Sequence, residues 1–131
     1  MSDLCYLDTS AFAKLLTAEA ESEALRRFLR AQPTQVSSTL LDVEAHRVAA
    51  RLGTVAAART AQLLAGIALT PITPEVRSLA RTIPPLSLRS LDAIHLATAV
   101  ALGPDLGVFV AYDRRLLDAA ADAGLAVASP G

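Results

Sequence analysis

A chain of 131 residues is the length of one domain and can bury a sizeable core without disulfide staples. Hydrophobic residues make up 53% and charged residues 19%, a balance that excludes a disordered chain. The net charge of −1, from 12 basic and 13 acidic side chains, excludes a strongly basic nucleic-acid coat but leaves room for a local basic patch. One cysteine, Cys5, excludes an internal disulfide and a four-cysteine zinc site; inside an apolar run it reads as a core thiol. No apolar run approaches the roughly 20 residues that cross a membrane. The start, Met1-Ser2-Asp3, lacks the basic and apolar regions of a signal peptide, so a cytoplasmic protein is expected.

Leu4-Cys5-Tyr6-Leu7 is a short apolar run that predicts a buried strand, ending at Asp8. Thr9 and Ser10 are capping types before a helix over residues 11–16. A second helix is expected over 19–31, with Leu25, Phe28 and Leu29 on one face, and Gln32-Pro33-Thr34 breaks it. A short strand follows at 35–37. Residues 39–52 read as a helix with Leu40, Val43, Arg47 and Ala50 near one face, closed by Gly53. Thr54 caps a further helix to about Ala65, and the two make a helical hairpin. A strand at 67–70 and a helix opened by Pro74, through about Thr82, come next. Pro84-Pro85 is a stiff linker. Ser90 is read as the cap of a strongly apolar helix over 91–102. Residues 108–111 give the clearest strand; a helix from Asp113 to Ala123 and a last strand at 125–127 close the chain. Short strands alternating with helices predict an α/β sandwich around a parallel sheet, without internal repeats.

Most of the acids have ordinary explanations. Glu19, Glu21 and Glu23 are placed in the first turns of a helix, where acids meet the positive dipole end. Asp118 and Asp122 share a solvated helix face, and Asp3, Asp42 and Asp105 read as surface residues. Four acids fit less easily. Asp8 and Asp113 follow apolar strands, at the edge where open α/β sheets bind ligands. Asp92 opens an almost wholly apolar helix, and Glu44 lies in a helix with few polar groups on its inner side. Each alone has an ordinary reading, capping for the three aspartates and a solvated face for Glu44. Together, crowded carboxylates repel and take up protons unless a cation neutralises them. An all-oxygen cluster suits Mg²⁺, or Mn²⁺. Such a site can activate water and stabilise the charge of a phosphodiester transition state.

Four segments in order carry a resemblance. They are Tyr6-Leu7-Asp8-Thr9-Ser10-Ala11, Ser38-Thr39-Leu40-Leu41-Asp42-Val43-Glu44, Leu91-Asp92-Ala93-Ile94-His95-Leu96-Ala97-Thr98-Ala99, and Val110-Ala111-Tyr112-Asp113-Arg114-Arg115-Leu116. With the closing Gly124-Leu125-Ala126-Val127, the pattern resembles the PIN-domain ribonucleases, and more closely the VapC toxins of VapBC toxin–antitoxin pairs. The resemblance implies one PIN domain over residues 1–131: an α/β/α sandwich with a short central parallel sheet and a protruding helical hairpin. It implies Asp8, Glu44, Asp92 and Asp113 as the catalytic, Mg²⁺-holding acids, and a small polar support at Ser10. Some relatives carry a further acid shortly after the fourth, where this chain has Arg115 and Leu116, so a second ion would find fewer ligands. The implied activity is Mg²⁺-dependent endoribonuclease cleavage of RNA, with a small VapB-like antitoxin and a homodimer as partners and no membrane.

His95 shares a helix face with Asp92, a spacing that could hold a transition metal, but the resemblance implies a structural, hydrogen-bonded histidine; His46, two residues from Glu44, reads as surface. Arg47, Arg89, Arg114 and Arg115 lie near the acids in sequence. Ordinary ion pairing explains Arg47 and Arg89; for Arg114 and Arg115 phosphate contact stands level with it. Only 4% of residues are aromatic, so no base-stacking platform is indicated. The hairpin, rich in Ala, Leu and Val, suits an amphipathic partner helix or simple core packing. Rival readings are an RNA-processing PIN nuclease without an antitoxin, an aspartate-nucleophile phosphatase and a non-catalytic partner-binding domain. The phosphatase chemistry wants a second Asp two positions after Asp8, where Ser10 stands.

Overall fold

In a computed structural model that describes residues 2–131, the chain runs β1 (Leu4–Leu7), α1 (Thr9–Leu16), α2 (Ser22–Arg30), β2 (Thr34–Ser38), α3 (Leu40–Leu52) and α4 (Thr54–Leu64). It continues through β3 (Ala68–Thr70), α5 (Pro74–Ala80), α6 (Ser90–Ala101), β4 (Leu106–Val110), α7 (Arg114–Asp122) and β5 (Val127–Ala128). The five strands are all parallel, in the order β3-β2-β1-β4-β5. The chain therefore builds outward from β1 to one side, then returns to build the other side. The reversal lies between β1 and β4, and beyond the carboxyl ends of those two strands an open α/β sheet has its natural crevice.

Both faces of the sheet are covered, which is why its inner strands are continuous apolar runs rather than alternating ones. Cys5 and Leu7 point to the face packed by Phe12 of α1, Leu25 of α2 and Leu41 and Ala45 of α3. Tyr6, one residue out of phase, points to the other face with Phe109, Leu96 and Leu116. Burying one such Leu or Phe contributes about 1.5–3 kcal/mol, so the two cores hold the central strands from both sides. The Cys5 thiol is buried, and burial pushes its pKa up to about 12, as expected of a core thiol. A register shift beside Leu4 leaves Gly107 as the extra residue of β4; a Cβ there would collide with the Ser2 carbonyl oxygen. Among the described residues no helix is long and apolar enough to cross a membrane.

Several local expectations shift. The buried stripe of α3 is Leu41, Ala45 and Ala49, while Val43, Arg47 and Ala50 face solvent and Leu40 is only partly covered. The helix has apolar residues on two stripes, and packing against α1 selects the smaller one because Ala permits close approach. Helix α2 begins at Ser22, so only Glu23 of the three glutamates lies in its first turn. Glu19 and Glu21 instead accept from Lys14 at 3.3 and 3.0 Å. Neither Thr9, Thr54 nor Ser90 acts as a cap: each is the first helical residue, preceded by Asp8, Gly53 and Arg89. Gly53 holds φ 121°, a conformation open to glycine. The last two strands sit at 106–110 and 127–128 rather than 108–111 and 125–127, since the backbone bonds that pair them run from Phe109 to Ala126 and from Ala111 to Ala128.

Candidate active site

The end of β1 delivers Asp8 into the crevice. Its carboxylate caps α1, accepting from the Ala11 N–H at 2.9 Å, and takes the Ser10 hydroxyl at 2.7 and 2.9 Å on its two oxygens. Ser10 Oγ in turn accepts from the Tyr112 N–H at 2.9 Å, so one hydroxyl ties the end of β1 to the chain leaving β4. Only 3% of Asp8 is exposed. Burial raises its pKa to about 6, against the help of Ser10, Ala11 and nearby His95, and the charge of Asp92 raises it further. Asp113 leaves β4 in the equivalent way. It caps α7 through the Arg115 and Leu116 N–H groups at 2.9 and 3.3 Å, but stays partly exposed.

Asp92 stands in the first turn of α6, between the other acids. Burial raises its pKa; Arg89 and His95 oppose this, and the charges of Asp113 and Glu44 add to it. The arginine at the start of α6 answers that crowding. Arg89 Nε is 3.5 Å from Asp92, and its Nη2 is 3.5 Å from Asp113. Arg89, Arg114 and Arg115, with Asp92 and Asp113, line a cleft of about 430 Å³. Arg47 does not join them; it is exposed on α3, without an ion pair among the described residues.

Glu44 is half-buried on α3 and held from the inside. His95 Nε2 lies 2.8 Å from Glu44 Oε1, and the Thr9 hydroxyl donates to the same oxygen at 2.5 Å. A carboxylate only accepts, so His95 Nε2 carries the proton, which Thr9 Oγ1 shares at 3.1 Å. His95 Nδ1 is then an acceptor, 2.7 Å from the Tyr6 hydroxyl, whose pKa burial drives well above its usual value. Burial works against the charge of Glu44, but the bonds from His95 and Thr9 outweigh it, and the pKa is lowered. His95 is buried and fully bonded, the structural role that the family resemblance implies; His46 is exposed on α3, bonded to its own helix at the Asp42 carbonyl. Sequence reasoning places Thr9 only as a capping type and Tyr6 only in the first strand, without a role at the site. The available signal was Tyr6 itself, since a buried tyrosine hydroxyl needs a partner.

The four acids thus gather at one edge of the sheet, with Asp92 in electrostatic range of Asp8, Asp113 and Glu44. They do not form a closed cage. Among the described residues, no three Asp, Glu, His or Cys side chains stand close enough, as oriented here, to hold an ion.

The PIN domain pattern matches residues 5–122. Two curated relatives from Mycobacterium tuberculosis are similar over nearly the whole chain. Ribonuclease VapC47 is 47% identical, with 98% of both chains covered. Ribonuclease VapC46 is 46% identical, with 95% of this chain and 96% of the relative covered. The crystal structure of M. tuberculosis VapC20, described as a sarcin-ricin loop cleaving toxin, shares the fold at a TM-score of 0.74. It covers 96% of this chain and 99% of that one at 18% identity. This sheet, its strand-end acids and these likenesses agree: the chain belongs to the PIN-domain family, among the VapC ribonucleases.

Proposed function

We propose that this VapC-family ribonuclease is the toxin of a VapBC-type pair, and that Asp8, Glu44, Asp92 and Asp113 carry an Mg²⁺-dependent hydrolysis of RNA phosphodiester bonds. The observation that carries the reading is Asp92. It lies within range of three other carboxyl groups at the switch point of the sheet; burial raises its proton affinity, with Asp113 and Glu44 adding to this, and burial and the charge of Asp92 raise that of Asp8.

The donor set fits a hard divalent ion. All four groups are carboxylates, two of them short of neutralising charge, which suits Mg²⁺ with Mn²⁺ as the alternative. Mg²⁺ keeps several waters, so direct contact with all four acids is not required. Asp8, Asp92 and Asp113 would hold the ion, with Glu44 completing the set. When bound, it supplies a source of nucleophilic water and charge neutralisation at the phosphoryl oxygens.

The chain's own residues do the rest. Ser10 and the Ala11 N–H fix the Asp8 carboxylate, so its lone pairs are aimed before any ligand arrives. His95 and Thr9 keep Glu44 ionised and in place. Arg89, Arg114 and Arg115 line the cleft as planar cations able to take a phosphate in two parallel bonds. With so few aromatic side chains, RNA binding leans on phosphates and backbone shape. The exposed Val43 and Val55 of the α3–α4 hairpin offer apolar surface for an antitoxin helix, and the exposed Leu86 and Leu91 for a homodimer. We place the pair in the cytoplasm, with residues 1–131 acting as one domain.

The test is to express wild type and Asp8→Asn side by side, with and without the neighbouring small reading frame, and to map cleaved cellular RNAs. Wild type alone is expected to slow growth and cut RNA, the variant to do neither, and the reading frame to rescue. Cleavage without a growth effect or a captured partner would leave an RNA-processing nuclease. Cleavage by the variant would overturn the site.

A further inference from the structure

The acid cleft is not isolated. A second groove of about 570 Å³ shares Ser87, Leu88 and Arg115 with it and extends away along α7. Its apolar wall is Pro84, Pro85 and Leu88 facing Ala119, and its polar rim is Asp118 and Asp122. We propose that this groove receives a nucleobase flanking the scissile phosphate and favours guanine, read by the carboxylates of Asp118 and Asp122. The proposal rests on the ribonuclease reading of the acid cleft and adds a specificity site to it.

Three observations carry it. The first is continuity. Arg115 lines both cavities, so a phosphate held there enters the acid cleft on one side and leads its nucleoside into the groove on the other. At about 1.5 Å per residue along a helix, Asp118 and Asp122 lie roughly 4.5 and 10.5 Å beyond Arg115, which is the reach of a nucleotide from phosphate to base edge. The second is shape and surface. Two prolines, a leucine and an alanine line the groove with apolar surface and no aromatic ring, a surface suited to the apolar faces of a base.

The third is the donor–acceptor pattern. Ionised carboxylates only accept, so the far end of the groove is an acceptor-only rim. Guanine alone presents two adjacent donors, N1–H and the N2 amino group, which match one carboxylate in two parallel bonds. Cytosine and adenine place an acceptor nitrogen beside their single amino group, and uracil flanks its N–H with two carbonyl oxygens; each sets an acceptor against the acid. The two carboxylates are also unspent. Both are exposed, and neither forms an ion pair among the described residues, although Arg115 stands only three residues before Asp118. Asp122 even sits in the last turn of α7, where the helix dipole disfavours an acid.

The experiment uses short single-stranded RNAs with one cleavable bond, varied at the flanking nucleotides and cut in Mg²⁺. Wild type is expected to favour guanine at one flanking position by about tenfold in kcat/KM, the size of one bidentate base contact. Inosine there, which lacks the N2 amino group, removes the preference, and 7-deazaguanine keeps it. The double variant Asp118→Ala, Asp122→Ala places good helix formers on an exposed face and retains the fold, checked by thermal melting. It cuts non-guanine RNA at the wild-type rate and loses the guanine preference. An unchanged preference in the variant, equal cutting of guanosine and inosine RNAs, or no flanking preference in wild type would each overturn the proposal. So would an unchanged preference together with weakened capture of the co-expressed antitoxin, which assigns the groove to the protein partner. If wild type cuts no RNA better than Asp8→Asn does, the ribonuclease assignment of the acids fails instead.

Discussion

Asp8 and Asp113 do the same local job in different surroundings. Each follows a central strand, and each caps the next helix with its carboxylate. Asp8 is sealed under α1 and its pKa rises to about 6; Asp113 opens onto a cleft with three arginines. One half of the site is thus buried, rigid and short of positive charge, while the other is wet and supplied with it. A cation bound between them gains most from the buried half, and a phosphate from the exposed half.

The largest expected effect breaks the buried half. Asp8→Asn keeps a capping oxygen for α1 but removes the charge, and RNA cleavage is expected to fall by at least about a hundredfold. Asp92→Asn is expected to abolish cleavage as well, with melting in the absence of metal unchanged or raised because repulsion with Asp8 and Asp113 is relieved. Retained metal-dependent cleavage would remove Asp92 from the mechanism.

Next comes the network behind Glu44. His95→Ala leaves the Tyr6 hydroxyl and Glu44 without their shared partner and opens a cavity, a loss of about 2–4 kcal/mol by urea denaturation. A loss near zero would show that water replaces the imidazole and that Glu44 does not depend on it.

The pH dependence sharpens the comparison further. The folded pKa of Asp8 lies above its unfolded value near 3.8, so the folded state binds more protons between those limits. Its contribution to stability is therefore lost as pH rises from about 4 to about 6, reaching about 3 kcal/mol above that window. Glu44, with its pKa lowered, works in the opposite sense and loses stability as pH falls through its folded value. The difference between wild type and Asp8→Asn, measured without metal across pH 3–8, isolates the first effect and is expected to grow in favour of the variant toward neutrality. Mg²⁺ added at pH 7 is expected to stabilise wild type more than the variant. A flat difference would mean that the buried carboxylate finds compensation elsewhere.

The smallest effect belongs to the exposed half. Arg89 is largely solvated and its ion pairs are long, so Arg89→Ala is expected to change stability by less than about 1 kcal/mol while weakening RNA binding. A loss above about 2 kcal/mol would make this arginine structural rather than part of the substrate surface.

Legibility in the sequence followed how local each feature is. The strand runs, the hairpin closed at Gly53 and the acids after β1 and β4 could be read because each depends on a few neighbouring residues. The face of α3 could not. Leu40-Val43-Arg47-Ala50 and Leu41-Ala45-Ala49 are both plausible stripes in an alanine-rich helix, and only contact with α1 decides between them. Asp8, Thr9 and Ser10 are all capping types, so the sequence offers three caps for α1; the backbone gives the cap to Asp8, its ordinary reading, and frees Thr9 and Ser10 to bond across the site. The last strand moved because a two-residue edge strand is set by its neighbour β4 rather than by its own composition.

The sequence by itself determined that Asp8, Glu44, Asp92 and Asp113 are the acids to examine, because strand ends, helix starts and motif spacing are properties of short segments. Only the tertiary structure decided how differently those acids behave. Proton affinity depends on burial and on charges distant in the chain, and the hydrogen bonds joining Thr9, Glu44, His95 and Tyr6 span up to 89 positions. Periodicity carries no record of such long-range bonds, because the sheet and α6 create them only when they pack.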